Sequence, residues 1–175
     1  MSSSTAVSPN TIAASLIAEM EHEAKTTRKV LERCPPEKFA WKPHEKSMTL
    51  GRLASHIAEM YGWTNHTLET SELDFAKMDY KPFEPSSTEE LVEFFEKTSA
   101  GALESLKGTS DETFMEQWSL RNGEQVYFTL PKIAVMRDMV MNHIVHHRAQ
   151  LSVYLRLNDI PVPPMYGPSA DEGVM

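Results

Sequence analysis

Cysteine and long apolar runs are both scarce in this 175-residue sequence. Cys34 is the single cysteine, which excludes a disulfide within the chain and a zinc site built from several cysteines. No stretch approaches the roughly 18 consecutive apolar residues that a membrane-spanning helix needs. The first ten residues also lack the basic leader and apolar run of a signal peptide, so we expect a cytoplasmic protein that does not span a membrane.

Positive charge is also in short supply. The chain has 17 Lys and Arg against 25 Asp and Glu, which gives a formal net charge of −8. Such a chain repels nucleic-acid phosphates and anionic lipid surfaces, so we expect a small-molecule substrate rather than nucleic acid or a membrane. The hydrophobic fraction of 41% is ordinary for a globular protein, and the length predicts a single domain over residues 1–175.

Apolar residues recur at intervals of three and four along four segments, as in amphipathic helices. The predicted helices cover about residues 9–33, 49–68, 88–107 and 131–158. Between the third and fourth helices the period changes to two around Asn122-Gly123, which predicts a hairpin over about 114–129. A proline-rich, extended tail follows from 160 to 175. The predicted fold class is therefore all-α, a four-helix bundle with a small β-hairpin inserted between helices 3 and 4.

Two helix starts carry local signals. Pro9 suits the first turn of the first helix, and Ser87 with Glu90 forms the pattern of a capping box. The residues from 71 to 86 show no sustained periodicity and predict a long connection.

The fourth helix places His143 and His147 on its apolar stripe. A spacing of four puts both rings on one face, near enough to share one ion with bonds of about 2.0–2.1 Å. The alternative is that each ring is an ordinary buried polar group with a hydrogen-bonding neighbour, and the two interpretations are about equally favoured. His56 borders the apolar stripe of the second helix and is the candidate third ligand. Three histidines would leave a coordination position open, as in catalytic zinc sites.

Other residues are secondary candidates. Glu59, Gln150 and Arg148 could contact the ligand histidines, or could equally form ordinary surface or interhelical bonds. His146 is expected at the rim or surface, Cys34 is expected to pack rather than react, and three more histidines are expected in solvent: His22, His44 and His66.

A pocket beside the histidines has four candidate lining residues, with ordinary core packing as the alternative. These residues are Met60, Trp63, Tyr154 and Tyr166. The tail either folds over the mouth of that pocket or packs as a strap.

The C-terminal segment resembles the signature of DinB-like proteins. It reads His143-Ile-Val-His-His147-Arg-Ala-Gln-Leu151, followed by Val162-Pro-Pro-Met-Tyr-Gly-Pro-Ser-Ala-Asp-Glu172, and Leu53-Ala-Ser-His56-Ile is similar to that family's second-helix histidine motif. Ala149 stands where many members have glycine. The resemblance implies a DinB/YfiT-like four-helix bundle that binds a divalent metal, zinc or nickel, through His56, His143 and His147. It also implies a homodimer.

The resemblance has consequences for function as well. Some relatives are thiol-dependent transferases or isomerases that use a low-molecular-weight thiol, and many have no established reaction. We therefore expect a metal-dependent enzyme of the thiol-dependent S-transferase or isomerase type, ahead of a metal-assisted hydrolase. The catalytic residues are unassigned. The alternatives are a non-catalytic metal- or ligand-binding module of a stress response and a purely structural bundle.

Overall fold

Hydroxyl side chains cap three long helices in the computed structural model, which describes residues 11–173. Thr11, Thr49 and Ser87 each accept a hydrogen bond from the backbone N–H three residues ahead, which satisfies a donor that helix geometry leaves free. The helices are α1 (Ile12–Leu31), α2 (Leu50–Glu69) and α3 (Thr88–Lys107). The predicted start of the first helix at Pro9 lies outside the described residues.

The structure contains a small three-stranded sheet, whereas the sequence predicts an all-α class with a single hairpin. The fold is therefore mostly helical with a small sheet. The strands are β1 (Glu72–Asp74), β2 (Gln117–Asn122) and β3 (Gln125–Pro131). Strand β1 pairs parallel with β2, which pairs antiparallel with β3. The sequence pattern does not reveal β1, because three residues show no alternation and the partner strand lies far along the chain. The loop residues are Gly123 and Glu124, and Gly123 adopts the positive φ of 59° that the turn requires.

A short helix precedes β2. Ser110 accepts a hydrogen bond from the Thr113 backbone N–H and starts α4 (Asp111–Met115). The predicted hairpin began at residue 114, so Phe114 and Met115 belong to this helix rather than to a strand. A serine cap at a helix start therefore outweighs the alternating pattern at these positions.

The last helical region is not one continuous α-helix over 131–158. It consists of α5 (Lys132–Val135), a π-helical turn (Met136–Met141) and α6 (Asn142–Leu157). The Asn142 N–H donates to the Arg137 carbonyl five residues back, as π-helical geometry requires. The wider turn changes which side chains of α6 face the core.

Helix α2 lies between its partners and packs against both α3 and α6, and α1 packs against α3. The main core fills the space between these helices, and a smaller core lies under the sheet around Trp118. Trp41, from the connection before α2, packs on the main core. Within residues 11–173, no helix is both long and apolar enough to cross a bilayer.

The tail after α6 packs as a strap. Val162 is buried, and the segment up to residue 173 is bound by ion pairs and hydrogen bonds to the helices. These contacts join Glu172 to Arg33, Asp171 to Arg156, and Tyr166 to Glu23 and Arg148. The described contacts thus favour the strap over a flap across a pocket.

A substitution at Gly51 tests how closely the first turn of α2 packs against Phe39 in the preceding connection. A Cβ there would lie 2.8 Å from the Phe39 Cβ and 3.2 Å from the Phe39 carbonyl oxygen, so we expect Gly51→Ala to lower the free energy of unfolding by about 1–3 kcal/mol. Gly62→Ala is the matched control on the same helix, since its nearest neighbour is a Thr98 methyl at 4.0 Å. The control should keep or raise stability, by up to about 1 kcal/mol. Urea unfolding followed by circular dichroism measures both, and equal stability of the two variants would contradict the prediction.

Candidate metal centre

Three imidazole rings meet in the interface between α2 and α6. His56 comes from α2, and His143 and His147 come from α6. Their candidate ligand atoms all lie within 4.8 Å of one another. The ring centroids are 5.4 Å apart for His56 and His143, 4.8 Å for His56 and His147, and 4.6 Å for His143 and His147. The structure therefore brings together the three predicted residues at a point where they could hold a metal ion.

Of the two α6 histidines, His147 is buried as expected, whereas His143 flanks the buried stripe, which corrects the expected pattern. Ile144, Arg148 and Leu151 take the fully buried positions, while His147 is 9% exposed and His143 is half-buried. The π-helical turn has more residues per turn than an α-helix, and it therefore shifts the stripe that begins at Met136 and Val140. The rings consequently remain partly accessible to ions and small molecules.

The α6 histidines each have a partner for Nδ1 on their own helical segment. The Nδ1 of His143 lies 3.3 Å from the Met139 carbonyl oxygen, in the π-helical turn. The Nδ1 of His147 lies 2.7 Å from Oε1 of Gln150, one of the predicted neighbours. Oxygen acceptors at these positions favour a proton on Nδ1, which leaves a lone pair on Nε2 for a metal.

The third ring, His56, has a carboxylate neighbour. Oε2 of Glu59 lies 3.5 Å from the His56 Nδ1, as the spacing on α2 suggests. Burial by itself would raise the pKa of Glu59, but hydrogen bonds from His56, Tyr80, the Phe83 backbone N–H and Arg52 lower it to about 2. Glu59 is therefore ionised at neutral pH and places a negative charge beside the rings.

The donor set fits a divalent transition metal. Burial lowers the pKa of His147 to about 4, against a smaller opposing effect of the Gln150 hydrogen bond, and burial also lowers the pKa of His143. Metal binding needs unprotonated imidazoles, and these two rings are unprotonated at neutral pH. Neutral nitrogen ligands suit zinc and nickel better than magnesium or calcium.

Arg148 does not support the ligands and is a structural residue instead. Its side chain points to α1, where it pairs with the Glu23 carboxylate and donates to the Thr27 hydroxyl at 3.0 Å. The Tyr61 hydroxyl lies 3.0 Å from the same Thr27 oxygen, and Tyr166 of the tail joins the ion pair. This buried network links α1, α2, α6 and the tail, one residue beyond His147.

The remaining histidines divide into two groups. His22, His44 and His146 are exposed, as expected. His66 is not simply solvated, because its Nε2 is buried without a hydrogen-bond partner among the described residues and its ring lies edge-on to Trp118 at 6.3 Å. Its position under the sheet depends on strand pairing that the local sequence does not reveal.

The four predicted pocket residues have different surroundings in the structure. Met60 is fully buried in the core. Tyr154 packs edge-on against Trp41, with ring centroids 5.4 Å apart, and Tyr166 binds the Glu23–Arg148 pair. Trp63 lines a cavity of about 520 Å³ that also contacts Glu59, Tyr80 and Phe94. Ordinary packing thus accounts for Met60 and Tyr154.

Residues of the connection after β1 were missed by the sequence analysis. The Tyr80 hydroxyl donates to Oε2 of Glu59 at 2.6 Å, and the Phe83 N–H donates to Oε1 at 2.7 Å. Arg52 also binds Oε2, at 2.8 Å. The sequence offered no specific signal for Tyr80 and Phe83, because the same connection also contains Phe75 and Met78.

The fold and the site together define a class, a mostly helical protein with a small sheet and three clustered histidines that could hold a metal. Comparison with known proteins gives the family. The model of the DinB family matches residues 1–173, and this chain belongs to that family.

Individual relatives agree with this assignment. The chain is 28% identical over 156 residues to the uncharacterized protein YrdA of Bacillus subtilis (strain 168), covering 87% of this chain and 86% of YrdA. The fold is similar to a crystal structure of a DinB-like protein from Bacillus cereus ATCC 10987, with a TM-score of 0.69, 22% identity, and coverage of 91% and 100% of the two chains. It is also similar to the DinB-like protein YjoA of Bacillus subtilis, with a TM-score of 0.70, 17% identity, and coverage of 87% and 97%.

The lowered pKa of His147 predicts the pH dependence of stability in the metal-free protein. Between pH of about 6.5 and about 4 the unfolded chain binds a proton at His147 and the folded chain does not, so stability should fall as the pH falls through this window. His147→Gln removes this titration and should flatten the fall. The urea midpoints of the two proteins are compared at pH of about 7, 6, 5 and 4, which spans this window. Parallel curves of midpoint against pH would contradict the prediction.

Proposed function

We propose that His56, His143 and His147 bind one divalent metal ion, zinc or nickel, and that the bound metal serves a reaction on a small-molecule substrate. The observation that carries the proposal is that one candidate ligand atom from each of the three rings lies within 4.8 Å of the others, while each Nδ1 has an oxygen atom nearby. An ordinary set of buried histidines would have no reason to direct all three rings to one point.

Each part of the site has a role in this proposal. The three imidazoles would hold the ion, while Met139, Gln150 and Glu59 orient the rings. The metal, when bound, supplies Lewis-acid chemistry that polarises an oxygen or lowers the pKa of a water or a thiol. Three protein ligands leave a position for the substrate.

Thiol-dependent transfer or isomerisation is favoured over metal-assisted hydrolysis by the family resemblance. The chain itself offers no reactive thiol, because Cys34 is fully buried and burial raises the pKa of its thiol to about 12. The thiol would therefore be an external low-molecular-weight cosubstrate. The homodimer that the resemblance implies stays a prediction.

A non-catalytic metal- or ligand-binding module is the second candidate. The carboxylate nearest the rings, Glu59, accepts hydrogen bonds from Arg52, Tyr80 and Phe83 and has a lowered pKa, so it is a poor proton shuttle. This arrangement suits a binding site as well as a reaction in which the substrate supplies its own acid or base.

Metal analysis tests the three-histidine site. The protein, stripped with a chelator and reloaded with Co²⁺ or Zn²⁺, should bind one ion per chain, and alanine at His56, His143 or His147 should abolish stoichiometric binding. His146→Ala, which removes an exposed ring from the same helix, should bind as the wild type does. Retention of stoichiometric metal by both His143→Ala and His147→Ala would refute the site.

Turnover assays separate enzyme from binding module. Metal-loaded protein incubated with cysteine or glutathione and a panel of electrophiles should consume thiol faster than the His147→Ala variant does. A change in the Co²⁺ absorption spectrum on adding thiol, without turnover above that background, would favour the binding module instead.

A further inference from the structure

We propose that Glu59 is a positioning residue that holds His56 with its proton on Nδ1 and its Nε2 free for metal. The inference deepens the proposed function and rests on it. The observation behind it is the set of contacts around the Glu59 carboxylate. Arg52, Tyr80 and the Phe83 N–H donate hydrogen bonds to it, and the His56 Nδ1 lies 3.5 Å away.

The network surrounds the carboxylate of Glu59. Its Oε2 lies 2.8 Å from Nη2 of Arg52, 2.6 Å from the Tyr80 hydroxyl and 3.5 Å from the His56 Nδ1. The side chains of His56 and Glu59 are 15% and 9% exposed, so water has limited access to compete for these contacts. Nη2 of Arg52 also lies 3.5 Å from the His56 Nδ1, which raises the question of which group donates to the other.

Counting hydrogens answers that question. Nη2 of arginine carries two hydrogens, and both are used, one toward Glu59 at 2.8 Å and one toward the Tyr80 oxygen at 2.6 Å. Arg52 therefore has no third hydrogen on this nitrogen for His56. The hydroxyl hydrogen of Tyr80 is directed to Glu59. A hydrogen bond between His56 and the ionised Glu59 therefore requires the proton to be on the His56 Nδ1, which leaves the lone pair on Nε2.

The second oxygen of Glu59 is anchored by a distant part of the chain. Oε1 accepts from the Phe83 N–H at 2.7 Å, and the Phe83 ring stacks on Phe94 of α3 with centroids 4.1 Å apart. This anchor limits rotation of the carboxylate away from His56. His56 thus differs from His143 and His147, whose Nδ1 partners lie within one helical turn.

Glu59→Gln is the informative substitution. An amide has one oxygen, so either Phe83 or the group formed by Arg52, Tyr80 and His56 would face an NH₂ donor instead of an acceptor. We expect Co²⁺ affinity, measured by competition with a chelator, to fall about 10- to 100-fold with the stoichiometry unchanged. Glu69→Gln is the matched control, with the same change of charge at an exposed site on α2, and should bind as the wild type does.

A second readout does not depend on metal or on the folding of a variant. Two-bond ¹H–¹⁵N correlation spectra of the metal-free wild-type protein report which nitrogen of each histidine is protonated. His56 should carry its proton on Nδ1, and Glu59→Gln should shift His56 toward the Nε2–H form while leaving His143 unchanged.

The outcomes separate the two proposals. If the wild type binds no metal, the proposed function fails, and the tautomer of His56 still tests the role of Glu59. If the wild type binds metal but Glu59→Gln has the same affinity, or if His56 carries its proton on Nε2 in the wild type, the positioning role of Glu59 is overturned.

Discussion

Three half-buried imidazoles at one level of the α2–α6 interface must each satisfy an Nδ1 nitrogen away from the point where the rings meet. An unsatisfied polar nitrogen in an apolar interface costs free energy, so each ring needs an oxygen on its outer side. Met139, Gln150 and Glu59 supply those oxygens. Much of the local structure, from the π-helical turn to the connection after β1, places these three acceptors.

Helix α2 connects the site to the rest of the molecule. One side of it packs on α3, another side presents His56 to α6, and Glu59 reaches the connection through Tyr80 and Phe83. Consecutive residues of α6 also contact different helices, since His147 faces α2 while Arg148 pairs with Glu23 of α1. Loss of one partner of a buried ion pair is strongly destabilising. The pair of Arg148 and Glu23 therefore also restrains the rotation of α6 about its axis. The position of the rings is therefore coupled to packing on the opposite side of the helix.

The predicted clustering of three histidines is confirmed, and its signal was local. The spacing of His143 and His147 places both rings on one face of any helix, and the apolar border of His56 directs it inward. The prediction of their surroundings succeeded only in part. Gln150 and Glu59, three residues from their histidines, were candidate neighbours and do contact them. For Arg148 the other alternative holds, since it bonds between helices to Glu23 of α1. Tyr80 and Phe83 reach the site through tertiary folding alone.

The amino-acid sequence by itself determined the long helices, because caps and apolar periodicity act within a few residues, and the bounds of α3 agree with the predicted 88–107. It also determined which histidines share a helix face. The tertiary structure decided the pairing of β1 with β2 and the bonding of Glu59 to Tyr80 and Phe83, since both depend on contacts between residues far apart in the chain. Local patterns carry no information about which distant groups will compete for a hydrogen bond, and packing settles that competition.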